Sequence, residues 1–158
     1  MRKHAIEILL VDDTSADVDL MLHALRKNDR IHQIHVARDG EEALNFLFCK
    51  EDYQNRAGEP LPQLVLLDLK LPKVDGLSVL RVLKEDSRTC WMPVIVLTSS
   101  REERDLITSY TLGVNSYIQK PVDFDQFRET VHTLALYWLS LNQVPPRQSM
   151  DYPSEKPA

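Results

Sequence analysis

Three short runs of apolar residues constrain the fold of this 158-residue chain more than any other feature. They are IEILLV at 6–11, LVLL at 64–67 and VIVL at 94–97, and only the first contains a charged residue. Runs of this length are too short for most helices and are typical of strands that are covered on both faces. Such coverage requires helices on either side of the sheet. The runs therefore predict the central strands of a parallel sheet.

Two further strands and five helical segments complete the pattern. His32–Ala37 and Ser116–Gln119 are predicted to be the second and fifth strands. Apolar residues recur at helical spacing after each strand; the first helix follows Ser15 as its candidate N-cap, and the last spans 124–141. Five strand–helix repeats indicate an α/β protein in which right-handed crossovers place helices on both faces of the sheet.

Two polar segments interrupt this alternation. Residues 50–63 contain Gly58, Pro60 and Pro62 and are predicted to form a long loop. Residues 142–158 are polar and rich in proline, which is typical of a flexible tail. The expected organisation is one domain over residues 1–141 followed by a tail over residues 142–158.

Composition excludes several classes of function. The formal net charge is −5 without a cluster of Lys and Arg, which argues against nucleic-acid binding as the main role. No apolar stretch approaches the roughly 20 residues that span a bilayer, and the N-terminus lacks a signal peptide. Cys49 and Cys90 lack metal-ligand spacing and are predicted to be free thiols. We therefore expect a cytoplasmic protein without membrane association.

Polar side chains follow four of the predicted strands. Asp12 and Asp13 follow the first, Asp68 the third, Thr98 ends the fourth, and Lys120 follows the fifth. The carboxyl ends of parallel strands form one edge of the sheet, where ligands bind. Three neighbouring carboxylates repel unless a cation joins them, and oxygen ligands suit Mg²⁺. Asp68 is then a candidate nucleophile toward a phosphoryl group, whose oxygens would meet Lys120 and Thr98.

Simple capping roles are an alternative for some of these residues. Asp12 and Asp13 could cap the first helix. Ser100 with Glu103 fits the capping-box spacing for the fourth helix, and a capping role is compatible with a functional one. Residues 101–105 are highly charged and are interpreted as a solvated helix face.

Several other polar residues have a structural interpretation. Taken singly, Lys120 is a typical surface charge and Tyr117 a typical packing residue. Their combination favours a functional interpretation, because four separate strand ends all carry the residue types that the proposed chemistry requires. The five histidines show no metal-binding or catalytic spacing and are interpreted as structural: His4, His23, His32, His35 and His132.

Four motifs together resemble those of response-regulator receiver domains, the phosphoacceptor partners of sensor histidine kinases. They are ILLVDD at 8–13, LVLLDLKLPKVDG at 64–76, PVIVLTSS at 93–100 and YIQKP at 117–121. The resemblance covers residues 6–141 and implies a flavodoxin-like fold, a doubly wound five-stranded parallel sheet of order 2-1-3-4-5 flanked by five helices. The enlarged loop before LPQLVLLDL, the SYTLGVNSYIQKP segment and the ALYWLSL ending resemble single-domain regulators that work with phytochrome-type histidine kinases.

The resemblance also implies roles for individual residues. Asp68 would accept the phosphoryl group. Asp13 would bind Mg²⁺ directly and Asp12 mostly through water, while Asp68 and the backbone carbonyl of Lys70 would complete the protein ligands. Thr98 would hydrogen-bond the phosphoryl group and move with it.

Further implied roles concern the switch and the lifetime of the phosphorylated state. Tyr117 matches the aromatic switch residue. Lys120 would pair with the acyl phosphate, and its peptide bond to Pro121 is expected to be cis. Lys70 and Ser100 occupy the positions that tune hydrolysis. Neither offers a carboxylate or amide to orient water, which predicts slow self-dephosphorylation over minutes or longer.

The function implied by the resemblance is signalling through protein contacts. The protein would not be an enzyme in its own right but a phosphoacceptor that catalyses its own phosphotransfer and dephosphorylation. Expected partners are a sensor histidine kinase, a histidine phosphotransfer protein, and a second copy bound through the fourth helix, fifth strand and fifth helix, with Tyr137 and Trp138 on that surface. The alternative for that surface is an apolar helix covered by the tail.

Two other classes of function remain as alternatives. A phosphatase of the haloacid-dehalogenase type also uses an aspartyl nucleophile, but it has a second Asp where this chain has Lys70. The other alternative is a receiver-like scaffold that binds partners without phosphorylation, against which the complete set of acidic, Thr and Lys positions argues.

Overall fold

The chain folds around a five-stranded parallel sheet. A computed structural model describes residues 6–145. The strand order is β2-β1-β3-β4-β5, and all four neighbouring pairs are parallel. The strands are β1 Ile6–Val11, β2 Ile31–Ala37, β3 Leu64–Leu67, β4 Val94–Thr98 and β5 Ser116–Gln119. The predicted strand order and parallel topology are confirmed.

Five α-helices flank the sheet, as predicted. They are α1 Ser15–Leu25, α2 Gly40–Leu47, α3 Gly76–Glu85, α4 Glu103–Leu112 and α5 Phe124–Leu136. A 3-10 turn at Glu51–Arg56 and a π-helical turn at Tyr137–Leu141 complete the regular structure. Residues from α1 and α5 share one apolar cluster, and residues from α2 and α3 share the other.

The alternation of side chains along β1 shows why the central strands are almost wholly apolar. Ile8 and Leu10 belong to the cluster with α1 and α5, whereas Leu9 and Val11 belong to the other cluster. All four side chains are at most 1% exposed. Burying a large aliphatic side chain contributes about 1.5–3 kcal/mol, so both faces of the strand stabilise the fold.

Two of the expected helix starts are wrong. Thr14, not Ser15, is the N-cap of α1, and Ser15 is the first helical residue. The N-cap of α4 is Glu102, whose side chain makes no capping hydrogen bond. The Ser100–Glu103 capping box, an alternative for this helix, does not form. The Ser100 hydroxyl oxygen accepts from the Glu102 N–H at 3.3 Å, and its proton is donated to the carboxylate of Asp105 at 2.6 Å.

The segment predicted as a long loop contains the 3-10 turn, which packs against β2 and α2. The ring of His35 stacks on Phe46 at a centroid distance of 3.9 Å, and the Arg56 guanidinium lies 3.5 Å from the same ring centroid. The Tyr53 hydroxyl donates to Glu42 Oε1 at 3.0 Å and contacts His35 Nε2 at 3.2 Å. Burial lowers the pKa of His35; Arg56 lowers it further and Glu42 opposes the shift.

The ends of the chain are only partly covered by the described residues. Residues 142–145 follow the π-helical turn without regular structure, and the rest of the predicted tail lies outside the described range. Among residues 6–145, no helix combines the length and apolar character needed to cross a membrane. Within the described residues, Cys49 and Cys90 form no disulfide, as predicted.

Candidate functional site

Three carboxylates meet at the carboxyl edge of the sheet. The strand register pairs Val11 of β1 with Leu67 of β3, so the residues that follow them, Asp12 and Asp68, emerge side by side. Ligand oxygens of Asp12, Asp13 and Asp68 lie within 4.8 Å of one another. Asp12 and Asp68 are 1% and 4% exposed, while Asp13 faces solvent. The structure therefore brings together the acidic trio that the sequence predicts.

The ammonium of Lys120 joins this group from β5. Its Nζ lies 2.8 Å from carboxylate oxygens of Asp12, Asp68 and Asp17, and its side chain is 6% exposed. Burial alone would lower the pKa of Lys120, but the hydrogen bonds to these three carboxylates outweigh it and raise the pKa. The ammonium therefore remains charged.

The charge of the site remains unbalanced. Lys120 supplies one positive charge against the four carboxylates of Asp12, Asp13, Asp17 and Asp68, which leaves a formal charge of −3. Burial raises the pKa of Asp12 even though Lys120 and the Thr14 N–H stabilise its anion. A divalent cation with oxygen ligands would reduce this excess, so the donor set and charge fit such an ion.

Both oxygens of Asp68 are held by hydrogen bonds. Oδ1 accepts from the Thr98 hydroxyl at 3.0 Å and from the Lys70 backbone N–H at 3.2 Å, while Oδ2 accepts from Lys120. The Thr98 hydroxyl oxygen also accepts from the backbone N–H of Ser100, at 3.2 Å. These contacts fix the carboxylate in one orientation. Lys70 and Asp13 line the same depression beside it.

Gly76, the first residue of α3, explains how this helix approaches the site so closely. Its N–H donates to the carbonyl of Leu69 at 3.0 Å. A Cβ atom at this position would lie 2.2 Å from the backbone oxygen of Asp68 and 2.5 Å from Cα of Leu69. Since neither backbone atom can move without displacing Asp68, the position requires glycine.

Tyr117 lies beside the same network. Its hydroxyl is buried and has no hydrogen-bond partner, although the Ser100 hydroxyl is close. Burial raises the pKa of Tyr117; the Ser100 hydroxyl opposes the shift, and the carboxylates of Asp105 and Asp68 reinforce it. An unsatisfied buried hydroxyl costs about 1–3 kcal/mol, so its position is imposed by the surrounding structure.

The sequence-based prediction missed one acidic residue of this region and placed another in the wrong environment. Asp17 was overlooked because it lies in the first turn of α1 and not at a strand end. Asp105 was expected on a solvated face but is 7% exposed and bound to Ser100. The sequence spacing gives a weak indication for Asp17, because a helix that begins soon after Asp12 can bring a residue five positions later back to the same strand end.

One expected backbone feature is also absent. The Lys120–Pro121 peptide bond is trans, since residues 6–145 contain no cis peptide bond, and the predicted cis form is therefore wrong. The trans form is favoured by about 0.5–1 kcal/mol before proline. With this trans bond, Lys120 still reaches three carboxylates.

The two residues predicted for a dimer surface have different environments. Tyr137 is 49% exposed, whereas Trp138 is partly buried against the cluster formed with α1 and α5. Their rings meet edge to face at 5.0 Å. Tyr137 is thus the more available of the two for contact with another molecule.

Comparison with known proteins identifies a family model and several similar proteins. Residues 8–132 match the family model of the response regulator receiver domain. The chain is 41% identical over 138 residues to a probable methanogenesis regulatory protein, FilR2, of Methanothrix harundinacea, covering 87% of this chain and 86% of FilR2. It is 38% identical over 138 residues to response regulator Rcp1 of Synechocystis sp., covering 87% of this chain and 92% of Rcp1.

The solved structures that are similar to this chain include response regulators as well. The phosphorylated cyanobacterial phytochrome response regulator RcpA is similar with a TM-score of 0.84 and 38% identity, covering 89% of this chain and 99% of RcpA. The Mn²⁺-bound form of Rcp1 is similar with a TM-score of 0.83 and 38% identity, again covering 89% and 99%.

Proposed function

The chain belongs to the response regulator receiver family, and from this premise we propose that Asp68 accepts a phosphoryl group from a sensor histidine kinase. The observation that carries the proposal is the set of donors around Asp68. Lys120, Thr98 and the Lys70 N–H all contact its carboxylate, and none of these contacts blocks the open depression beside Asp13.

We propose that Mg²⁺ is the metal ion of this site. Asp12, Asp13 and Asp68 would hold it together with the backbone carbonyl of Lys70, and water would complete its coordination. When bound, Mg²⁺ supplies positive charge that stabilises the phosphoryl oxygens. The proposal is supported by the excess of negative charge at the site and by the Mn²⁺-bound form of the similar Rcp1.

The residues of the chain would then assist transfer directly. An oxygen of Asp68 attacks phosphorus while the bond from phosphorus to the imidazole nitrogen of the kinase histidine breaks, and the released imidazole keeps the electron pair. Lys120 stabilises the charge that develops on the phosphoryl oxygens, and the Thr98 hydroxyl turns from Asp68 to donate to one of them. Tyr117 responds to that movement as the aromatic switch residue. In this sense the receiver promotes its own phosphotransfer and later dephosphorylation.

We propose that the output is a protein contact. The kinase would be of the phytochrome type, which the likeness to RcpA supports, and a histidine phosphotransfer protein is a further partner. A homodimer would use α4, β5 and α5, where Tyr137 is exposed and Trp138 supports it. We propose a cytoplasmic location, which is supported by Cys49 and Cys90 not being joined in a disulfide.

Phosphorylation with a small donor tests the central proposal. We expect wild-type protein incubated with acetyl phosphate and Mg²⁺ to gain one phosphoryl group, detected by intact mass, and Asp68→Asn to gain none. Asp125→Asn, which removes an exposed carboxylate of α5, serves as the matched control and should behave as wild type. A chain that hydrolyses many donors is a phosphatase, and one that takes up none is a scaffold; either result would refute the proposal.

The dimer has its own test. Sedimentation velocity of phosphorylated and unphosphorylated protein should show a larger species that Tyr137→Lys disrupts, because an ammonium at an apolar contact is costly to desolvate. His132→Lys introduces an ammonium at an exposed position of α5 away from the depression that Tyr137 and Trp138 line, and is the control. A monomer at high concentration in both states would exclude the proposed dimer.

A further inference from the structure

Asp105 closes a ring of contacts around the proposed phosphoacceptor. Asp68 Oδ1 accepts from the Thr98 hydroxyl, whose oxygen accepts from the Ser100 N–H. The Ser100 hydroxyl donates to Asp105 Oδ2 at 2.6 Å, and the same oxygen lies 3.8 Å from Lys70 Nζ. The backbone N–H of Lys70 returns to Asp68 Oδ1 at 3.2 Å. We call these five residues the Asp68 ring.

The burial of Asp105 calls for an explanation. Its carboxylate is almost wholly buried and contributes nothing to the group around Lys120. A buried carboxylate is costly unless hydrogen bonds or opposite charges compensate it. The compensation comes from the Ser100 hydroxyl, the Lys70 ammonium and the N-terminal turn of α4, which favours negative charge. Two of these three partners are residues whose N–H groups serve the Asp68 site.

Resting on the function proposed above, we propose that Asp105 is a positioning residue for phosphoryl transfer at Asp68. It anchors the side chains of Ser100 and Lys70. The backbone N–H groups of those residues orient the Thr98 hydroxyl and Asp68 itself. Asp105 does not touch the reacting atoms. It acts by keeping two donors in place before the phosphoryl group arrives, and such preorganisation raises the rate of transfer.

The position of Tyr117 supports the proposal that Asp105 determines how the Ser100 side chain is oriented. Its buried hydroxyl lies near that of Ser100 yet lacks a hydrogen-bond partner. The proton of Ser100 is instead directed to Asp105. Because a charge-assisted hydrogen bond is stronger than one between two hydroxyls, Asp105 determines the orientation of Ser100 and Tyr117 adapts to it.

The test compares Asp105→Asn with Glu103→Gln, which removes one negative charge from the same turn of α4 on its exposed side. Phosphorylation rates are measured over a range of acetyl phosphate concentrations with saturating Mg²⁺. We expect the maximal rate constant to fall about tenfold in Asp105→Asn and to stay unchanged in Glu103→Gln. Metal affinity, measured by titration calorimetry, should stay within about twofold of wild type in both, because the acidic trio is intact.

Ser100→Ala provides a second, independent arm. If both residues act through one contact, the double variant Asp105→Asn with Ser100→Ala should be no slower than the slower single variant. In the absence of any phosphodonor, the amide NMR signals of Ser100 and Thr98 should shift in Asp105→Asn and not in Glu103→Gln.

The possible outcomes separate the two proposals. If wild-type protein takes up no phosphoryl group, the proposed function fails, and the NMR comparison alone tests whether Asp105 positions Ser100. If wild type reacts and Asp105→Asn reacts equally fast, the positioning role is wrong although the function stands. A parallel loss of metal affinity and rate would also overturn it, since that pattern indicates general damage to the site.

Discussion

Replacing Lys120 with methionine would test how the site is held together. Lys120 places one ammonium 2.8 Å from three carboxylates, and the side chains of Asp12 and Asp68 are 1% and 5% exposed. Methionine retains most of the volume and apolar stem of lysine but none of the charge. The substitution therefore leaves the buried carboxylates of Asp12 and Asp68 without their cation.

The expected cost follows from the burial of the partners. Removing one member of a buried ion pair typically destabilises a protein by about 3–5 kcal/mol, because the remaining charge is uncompensated. Asp17 adds little, since its side chain is 33% exposed and partly exposed pairs contribute about 1 kcal/mol or less. For a chain of this size, the change corresponds to a fall of about 6–20 °C in Tm.

The direction in which pH changes the destabilisation by Lys120→Met can also be predicted. The pKa of Lys120 is raised in the folded state, so its contribution to stability is fully present below the unfolded-state value of about 10.4 and is lost only above that range. In Lys120→Met the ammonium no longer opposes the burial that raises the pKa of Asp12, so acid protonates Asp12 and removes an uncompensated buried charge. The difference in stability between wild type and variant should therefore be larger at pH 8 than at pH 5.

Urea unfolding of metal-free protein, followed by circular dichroism at both pH values, measures this difference. Asp17→Asn is the matched control and should lower the free energy of unfolding by no more than about 1 kcal/mol. The reasoning is refuted if Lys120→Met and wild type differ by less than about 0.5 kcal/mol at pH 8, or if the difference grows on acidification.

Four further predictions follow from other contacts. Gly40→Ala should destabilise the domain by at least 1–3 kcal/mol in thermal unfolding, about the cost of overpacking, because the added Cβ would lie 1.9 Å from the Val74 carbonyl oxygen. Because the pKa of His35 is lowered in the folded state, stability should fall as pH drops through about 6.5 and below, and His35→Gln should flatten that part of the pH profile of Tm. Mg²⁺ at a hundredfold excess over its Kd should stabilise wild type by about 2.7 kcal/mol, and Asp13→Asn should lose most of that gain. Phosphorylated Asp68 should decay over minutes or longer by intact mass; decay within seconds would contradict the absence of a water-orienting group at the tuning positions.

The bounds of the central strands could be predicted closely, because a strand that is buried on both faces consists almost wholly of apolar residues. The bounds of β1, β3 and β5 agree with the predicted ranges, and β2 and β4 differ by one residue each. Each central run is bounded on one side by an aspartate or a proline, Asp12, Asp68 or Pro93, and an apolar run with such a limit has few alternative placements. Helix starts were less predictable, because a hydroxyl such as that of Ser100 can accept from more than one backbone N–H of the following turn. Only the tertiary structure selects the Glu102 N–H as its donor and Asp105 as its acceptor.

The site could be predicted as far as its residues lie at strand ends. Asp12, Asp68, Thr98 and Lys120 converge as expected, because parallel strands bring their carboxyl ends to one edge. Asp105 could not be placed, because the sequence of a charged helical turn does not indicate which of its residues face solvent and which face the sheet. Its burial depends on which face of α4 meets the β4 end, and that is a tertiary property.

The charge of the site also determines the order in which its ligands can bind. Four carboxylates and one ammonium give a formal charge of −3, which a divalent ion would reduce to −1. Converting the Asp68 carboxylate into an acyl phosphate removes one negative charge and adds about two. Phosphorylation without the ion would thus leave a net charge of about −4 with Lys120 counted, whereas with the ion the net charge would be about −2. Because a pair of close like charges is costly at low solvent exposure, phosphorylation should depend on prior binding of the divalent ion. Chelation before the donor is added should therefore prevent any donor-dependent change.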